Sequence, residues 1–222
     1  MFGVTQAVYN SYRRSKGLKT QSVRNITRDD ALDIYYNNYW LASKANGLFA
    51  GVDLAVYDAS VNSGVSRGRR WLLKSLAKND NHAQTVKNIC AKRLGFVQSL
   101  KIWKTFGKGW GRRIADVQAK GVAWALAAMN DNHVVKQQLE DEASIQQKKA
   151  ATKAKSGAGA GAVTGAGSGD VAINPQHAEQ IAGWALSGII VAGVLLVGWF
   201  FWRAWINKQQ ADAYAAEAEA IL

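Results

Sequence analysis

Apolar positions recur at helical spacing along most of the chain, and short polar or glycine-containing breaks divide them into segments. Thr5 opens the first segment as an N-cap and Gly17 closes it. Thr27 opens the second, with Asp30 at the third helical position, and Tyr35, Tyr36, Tyr39 and Trp40 form an aromatic stripe along it. A third helix is predicted over residues 49–63. Val52, Ala55, Val56, Ala59 and Ser60 share one of its faces, and Gly64 supplies the left-handed residue that stops it. Ser66 caps a fourth helix, with Trp71, Leu72, Leu73 and Leu76 inward. Asn79, Asp80 and Asn81 then break the chain. Ile89, Leu94, Phe96, Val97, Leu100 and Trp103 continue at helical spacing, Gly107 and Gly109 flank a bend, and a helix resumes from Trp110 to Met129.

The pattern changes after residue 132. Residues 133–155 are polar and helix-prone and read as a solvated helix or stalk. Residues 156–176 are dominated by Gly, Ala and Ser, the composition of a flexible linker, with a reach on the order of 20 Å on random-coil scaling. The run bounded by Ile181 and Trp202 holds 22 residues without a charge. A helix of roughly 33 Å at 1.5 Å per residue crosses a hydrocarbon core, so the run is expected to pass through a lipid bilayer once. Trp184 lies near one end and Trp199, Trp202 and Trp205 near the other, as in interfacial belts. Arg203 and Lys208 are the basic residues nearest the run, which directs the C-terminus to the cytoplasm and the basic domain outside.

Composition narrows the classes. One Pro and abundant Ala, Lys and Arg favour an all-α chain. The single Cys, Cys90, sits in an apolar helical pattern and reads as a buried thiol. The three His are far apart, no metal-ligand spacing occurs, and no cofactor is implied. Residues 1–155 hold 26 of the 28 Lys and Arg and 11 of the 16 Asp and Glu, a net +15. Such a domain is drawn to polyanions. The basic residues do not interleave with aromatics in a nucleic-acid motif, so nucleic acid is not the expected partner.

The third helix carries the candidate site. Asp58, Asn62 and Ser63 gather near its C-terminal end, where short polar side chains suit the wall of a sugar-binding cleft. The competing reading is a core helix that stops at a glycine. Five separated stretches resemble glycoside hydrolase family 108, the N-acetylmuramidases of bacteria and phages: Phe2-Gly3-Val4-Thr5; Thr27 and Ala31 with Ile34-Tyr35 and Tyr39-Trp40; the segment from Phe49 to Gly64; Trp71-Leu72; and Arg93-Leu94-Gly95-Phe96 with Trp103, Phe106-Gly107-Lys108-Gly109-Trp110 and Arg113. The resemblance implies a lysozyme-like helical domain and peptidoglycan as partner and substrate. It makes Asp58, Asn62 and Ser63 substrate contacts, with Tyr39 and Trp40 as stacking partners.

One departure qualifies the expected activity. Family members carry a general-acid Glu ahead of the F-G-I-T motif, whereas the first Glu in this sequence is Glu140. No residue is assigned as the catalytic acid. The resemblance therefore describes a chain truncated before its catalytic helix, or a product that keeps the fold without the chemistry. The expected organisation is a muramidase-like region over 1–78, a peptidoglycan-binding helical region over 79–132, a polar helix over 133–155, a linker over 156–176, a transmembrane helix over 177–210 and a tail over 211–222. The expected function is a peptidoglycan hydrolase anchored in the bacterial inner membrane by a single pass, inactive in the sequence as it stands. The alternative is a non-catalytic peptidoglycan- or partner-binding membrane protein on the same fold.

Overall fold

The computed structural model describes residues 2–129, 132–165 and 178–220, with the backbone alone for 132–134, 156–165 and 178–197. Among the described residues every regular element is helical. The chain divides into two compact units, Met1–Asp131 and Asn132–Leu222.

In the first unit, α1 (Gln6–Ser15) begins where the Thr5 side chain accepts a hydrogen bond from the Val8 amide. Gly17 ends it at φ +71°, and the Leu18 amide closes back onto the Arg13 carbonyl. α2 (Arg28–Tyr35) begins at Thr27, which accepts from the Asp30 amide. It runs on into a π-helical turn, Tyr36–Leu41, that carries Tyr39 and Trp40. Val4, Tyr9, Val23, Ile26, Ala31 and Ile34 form the core beneath these helices, with Tyr35 and Tyr39 packed against it.

α3 (Val52–Ser63) starts three residues later than the periodicity predicts. Gly51 takes φ +82°, and a Cβ there would lie 1.9 Å from the Gly121 carbonyl oxygen. The turn before α3 is therefore pressed against the backbone of α6, an approach only glycine permits. α4 (Val65–Leu73) follows with Gly64 as its cap. Trp71 is buried as expected, but Leu73 and Leu76 are 71% and 64% exposed. Leu73 sits two residues on from Trp71, about 200° around α4, and Leu76 lies beyond the helix end. The break at residues 79–81 is real: Asn79 and Asp80 take φ 55° and 50°, and Asn81 caps α5 (His82–Gln98).

α6 (Trp103–Ala127) is one continuous helix, not two joined at a bend. A Cβ at Gly107 would meet the Trp103 indole at 2.5 Å, so this glycine makes room for a ring. α5 and α6 pack against each other and both pack on α3. Cys90, between them, is buried, and burial pushes its thiol up to about 12.

The second unit is a hairpin of α7 (Asn132–Gly165) and α8 (Ala178–Glu219). α7 is not solvated all round. Val135, Leu139, Ala143 and Gln146 are buried in a single stripe, and Ala204, Ile206, Ala211, Tyr214 and Ala218 are buried on α8. Lys153 Nζ lies 5.8 Å from the Phe200 ring centre. α7 continues to Gly165, into the stretch expected as linker. Residues 166–177 lie outside the described residues. Among the described residues no helix is long and apolar enough to cross a membrane. Most of the run from 181 to 202 falls where side chains are outside the described residues, within the backbone of α8.

Candidate functional site

Three helices converge on one carboxylate. Asp58 of α3 is 5% exposed and lies between Arg93 of α5 and Arg113 of α6. Arg93 Nη1 donates to Asp58 Oδ2. Arg113 donates to Oδ1 through Nε at 2.8 Å and through Nη2. A lone carboxylate this deep would be strongly destabilising, and pairing with hydrogen-bonded guanidinium groups offsets that cost. The hydrogen bonds from Arg113 to Asp58 push that guanidinium above its ordinary value. Arg113 is half-exposed while Arg93 is 3% exposed, so the cluster is sealed on one side and open on the other. Two guanidiniums against one carboxylate leave it net positive.

The pairing was not anticipated from the sequence. Asp58 looked like a cleft residue because it stands near Asn62 and Ser63, but its carboxylate faces inward. Arg93 lies between Cys90 and Val97, both buried on α5. An arginine inside an apolar stripe is the signal that marks a buried partner.

Asn62 and Ser63 do lie together, on the wall of a pocket of about 200 Å³ shared with Arg67, Arg93, Phe96 and Trp110. The Asn62 side chain donates to the Asp58 carbonyl at 3.0 Å. Arg67 Nη1 donates to the Ser63 carbonyl at 2.9 Å, and the Arg67 guanidinium sits 4.2 Å from the Phe96 ring centre. Tyr39 and Trp40 occupy a different place, the π-helical turn after α2. Trp40 meets Tyr57 edge-on at 5.5 Å, and Tyr39 lies 5.8 Å from Tyr35. Burial is the main cause that pushes the Tyr57 hydroxyl up, and Tyr35, Tyr39, Asp58 and Arg113 are close enough to act on it electrostatically.

Four other acids of this unit also have partners. Tyr9 Oη donates to Asp30 at 3.1 Å, Tyr12 Oη lies 3.0 Å from Asp33, and Lys16 pairs with Asp33 at 3.0 Å. The hydrogen bonds from Lys16 and then Tyr12 hold the Asp33 carboxyl below its ordinary value. Asp53 accepts from the Leu54 amide at 2.6 Å, and Asp116 pairs with Lys120 at 3.4 Å. Among the described residues no three His, Cys, Asp or Glu side chains gather to hold a metal.

An all-helical unit with aromatic residues on one turn and a guanidinium-held aspartate among three other helices defines a scaffold, and the comparisons supply its relationship. Residues 1–64 match the family model described as Glycosyl hydrolase 108, so the resemblance drawn from the motifs holds over that stretch. The chain is also similar to the solved structure of SagA from Brucella abortus. The two are 28% identical, the similarity covers 55% of this chain and 79% of that one, and the TM-score is 0.49. No curated protein matches the chain.

Proposed function

We propose that this chain is a peptidoglycan hydrolase scaffold that binds the glycan wall and, with the acids it carries, does not cleave the bond between N-acetylmuramic acid and N-acetylglucosamine. The Glycosyl hydrolase 108 match over residues 1–64 carries the assignment to peptidoglycan. The pairing of its buried carboxylate supports the second part. Glycosidic cleavage needs a carboxylic acid to protonate the leaving oxygen. No Glu precedes Glu140, and Asp58, the buried aspartate, is taken up by two arginines. Trp40 and Tyr39 offer ring faces to sugars, and Asn62 and Ser63 offer hydrogen bonds. The basic excess over residues 1–155 favours a wall polymer rich in carboxylates.

The run from 181 to 202 holds the protein at a bilayer in this reading, with Arg203 and Lys208 on the cytoplasmic side and the basic domain outside. A complete crossing separates α7 from the end of α8, which the hairpin holds together, so insertion and the hairpin are alternative arrangements of the second unit.

The test uses the full chain and purified peptidoglycan sacculi. Co-sedimentation that weakens as salt rises is expected, because exposed charges are screened. Sacculi that leave the protein in the supernatant even at low salt overturn the reading. Flotation of the full chain with bilayer vesicles tests the anchor, and recovery at the bottom of the gradient rejects it.

A further inference from the structure

The pocket beside the buried aspartate is positively charged and incompletely satisfied. Arg93 contributes to its wall and is 3% exposed, yet its Nε has no hydrogen-bond partner. A buried guanidinium donor without an acceptor costs free energy, because it has lost its water and gained nothing in return. Asp58 provides one negative charge and meets both Arg93 and Arg113. Arg67, on the same pocket wall, has no carboxylate partner; it donates to the Ser63 carbonyl and stacks on Phe96. No Asp or Glu lines the pocket. Its remaining walls are the rings of Phe96 and Trp110, the aliphatic side chains of Val97, Leu100 and Ile114, and the short polar side chains Asn62 and Ser63.

We propose that this pocket binds a small carboxylate flanked by an apolar group, with Arg67 and Arg93 facing the carboxylate and Trp110 and Phe96 facing the apolar part. Guanidinium is suited to this, since its planar fork matches the two oxygens of a carboxylate. The pocket's volume of about 200 Å³ admits a group the size of an alanyl carboxylate. Two sources carry this chemistry: the peptide stems attached to the wall glycan, and a free short-chain or amino-acid carboxylate. The first rests on the proposed peptidoglycan reading, and the second does not.

The test is a titration of the full chain in neutral detergent, observing arginine Nε–H resonances by proton–nitrogen NMR. The probes are N-acetyl-D-alanyl-D-alanine and its C-terminal amide. The Arg93 Nε–H signal is expected to shift and saturate with the acid, and to stay unmoved by the amide. Arg67→Gln, on a partly exposed side chain, is expected to weaken the acid at least tenfold while leaving the circular dichroism of the fold unchanged. A second variant, Ser63→Phe, fills the pocket from its rim and should also abolish the shift. An Arg93 signal that ignores the acid, or that responds equally to acid and amide, overturns the proposal.

Sacculi distinguish the source and separate this claim from the one before it. Loss of sacculus binding in Arg67→Gln, matched by loss when an amidase strips the peptide stems, assigns the pocket to the wall peptide. Saturable binding of the acid with unchanged sacculus binding assigns it to a free carboxylate. Sacculus binding that persists with no Arg93 shift sinks the pocket and leaves the wall-binding reading intact.

Discussion

Two regions of the first unit hold carboxylates in opposite ways. Between α1 and α2, Asp30 and Asp33 stand at the rim of the core and are held by tyrosine hydroxyls and Lys16. Among α3, α5 and α6, Asp58 is buried and held by two guanidinium groups. At the first site water still reaches the acids, so each hydrogen bond is worth little beyond its exchange with solvent. At the second, water is excluded from Asp58 and Arg93, and removing either strands the other's charge. The difference teaches that Asp58 ties helices together, whereas the rim acids orient α1 on α2.

Asp58→Ala should therefore have the largest effect. It leaves Arg93 buried without its counter-charge and should cost about 3–5 kcal/mol in urea or thermal unfolding. A loss below about 1 kcal/mol would show that the triad is solvated in solution. Arg113→Gln removes the exposed arm alone. A cost of about 1 kcal/mol is expected, because its side chain is half-exposed and hydrogen bonds to charged groups are screened there.

The rim site should register most clearly at high pH. Burial, and then the hydrogen bond and charge of Asp33, push the Tyr12 hydroxyl up to about 12 from an ordinary value of 10.0. A group whose folded value is raised contributes stability that is intact below its unfolded value and lost as pH rises through the folded one. Stability should therefore fall between pH of about 10 and 12, and Tyr12→Phe should flatten that fall. An unchanged alkaline profile in the phenylalanine variant would remove the tyrosine–aspartate link. The smallest effect concerns Cys90, the thiol buried beside the triad. It should resist a thiol reagent in the native protein and react only on unfolding, and rapid native labelling would mean that α5 and α6 open locally.

Much of this fold was legible in the sequence, and the parts that were not share a cause. Thr5, Gly17, Thr27 and Asn81 mark helix ends through local chemistry, which a linear reading captures. The late start of α3 depends on Gly121, seventy residues away, and the straight run through Gly107 depends on the Trp103 ring. The stripe on α7 looked like a solvated stalk because its buried positions are few, and the partner that buries them lies across the hairpin on α8. Asn62 and Ser63 were identified correctly as neighbours at one helix end, but the direction of Asp58 was set by Arg93 and Arg113 from two other helices. Such long-range approaches leave weak local signals, and an arginine inside an apolar stripe was the one available here.

The central claim is that this chain holds a wall polymer and does not cut it. The direct measurement is the release of soluble muropeptides from purified sacculi by the full chain, followed by chromatography and mass spectrometry. The account predicts sacculi that retain the protein and release nothing above a buffer control. Released disaccharide-peptides with a new reducing end at N-acetylmuramic acid, lost in a folded Asp58→Asn variant, would contradict it.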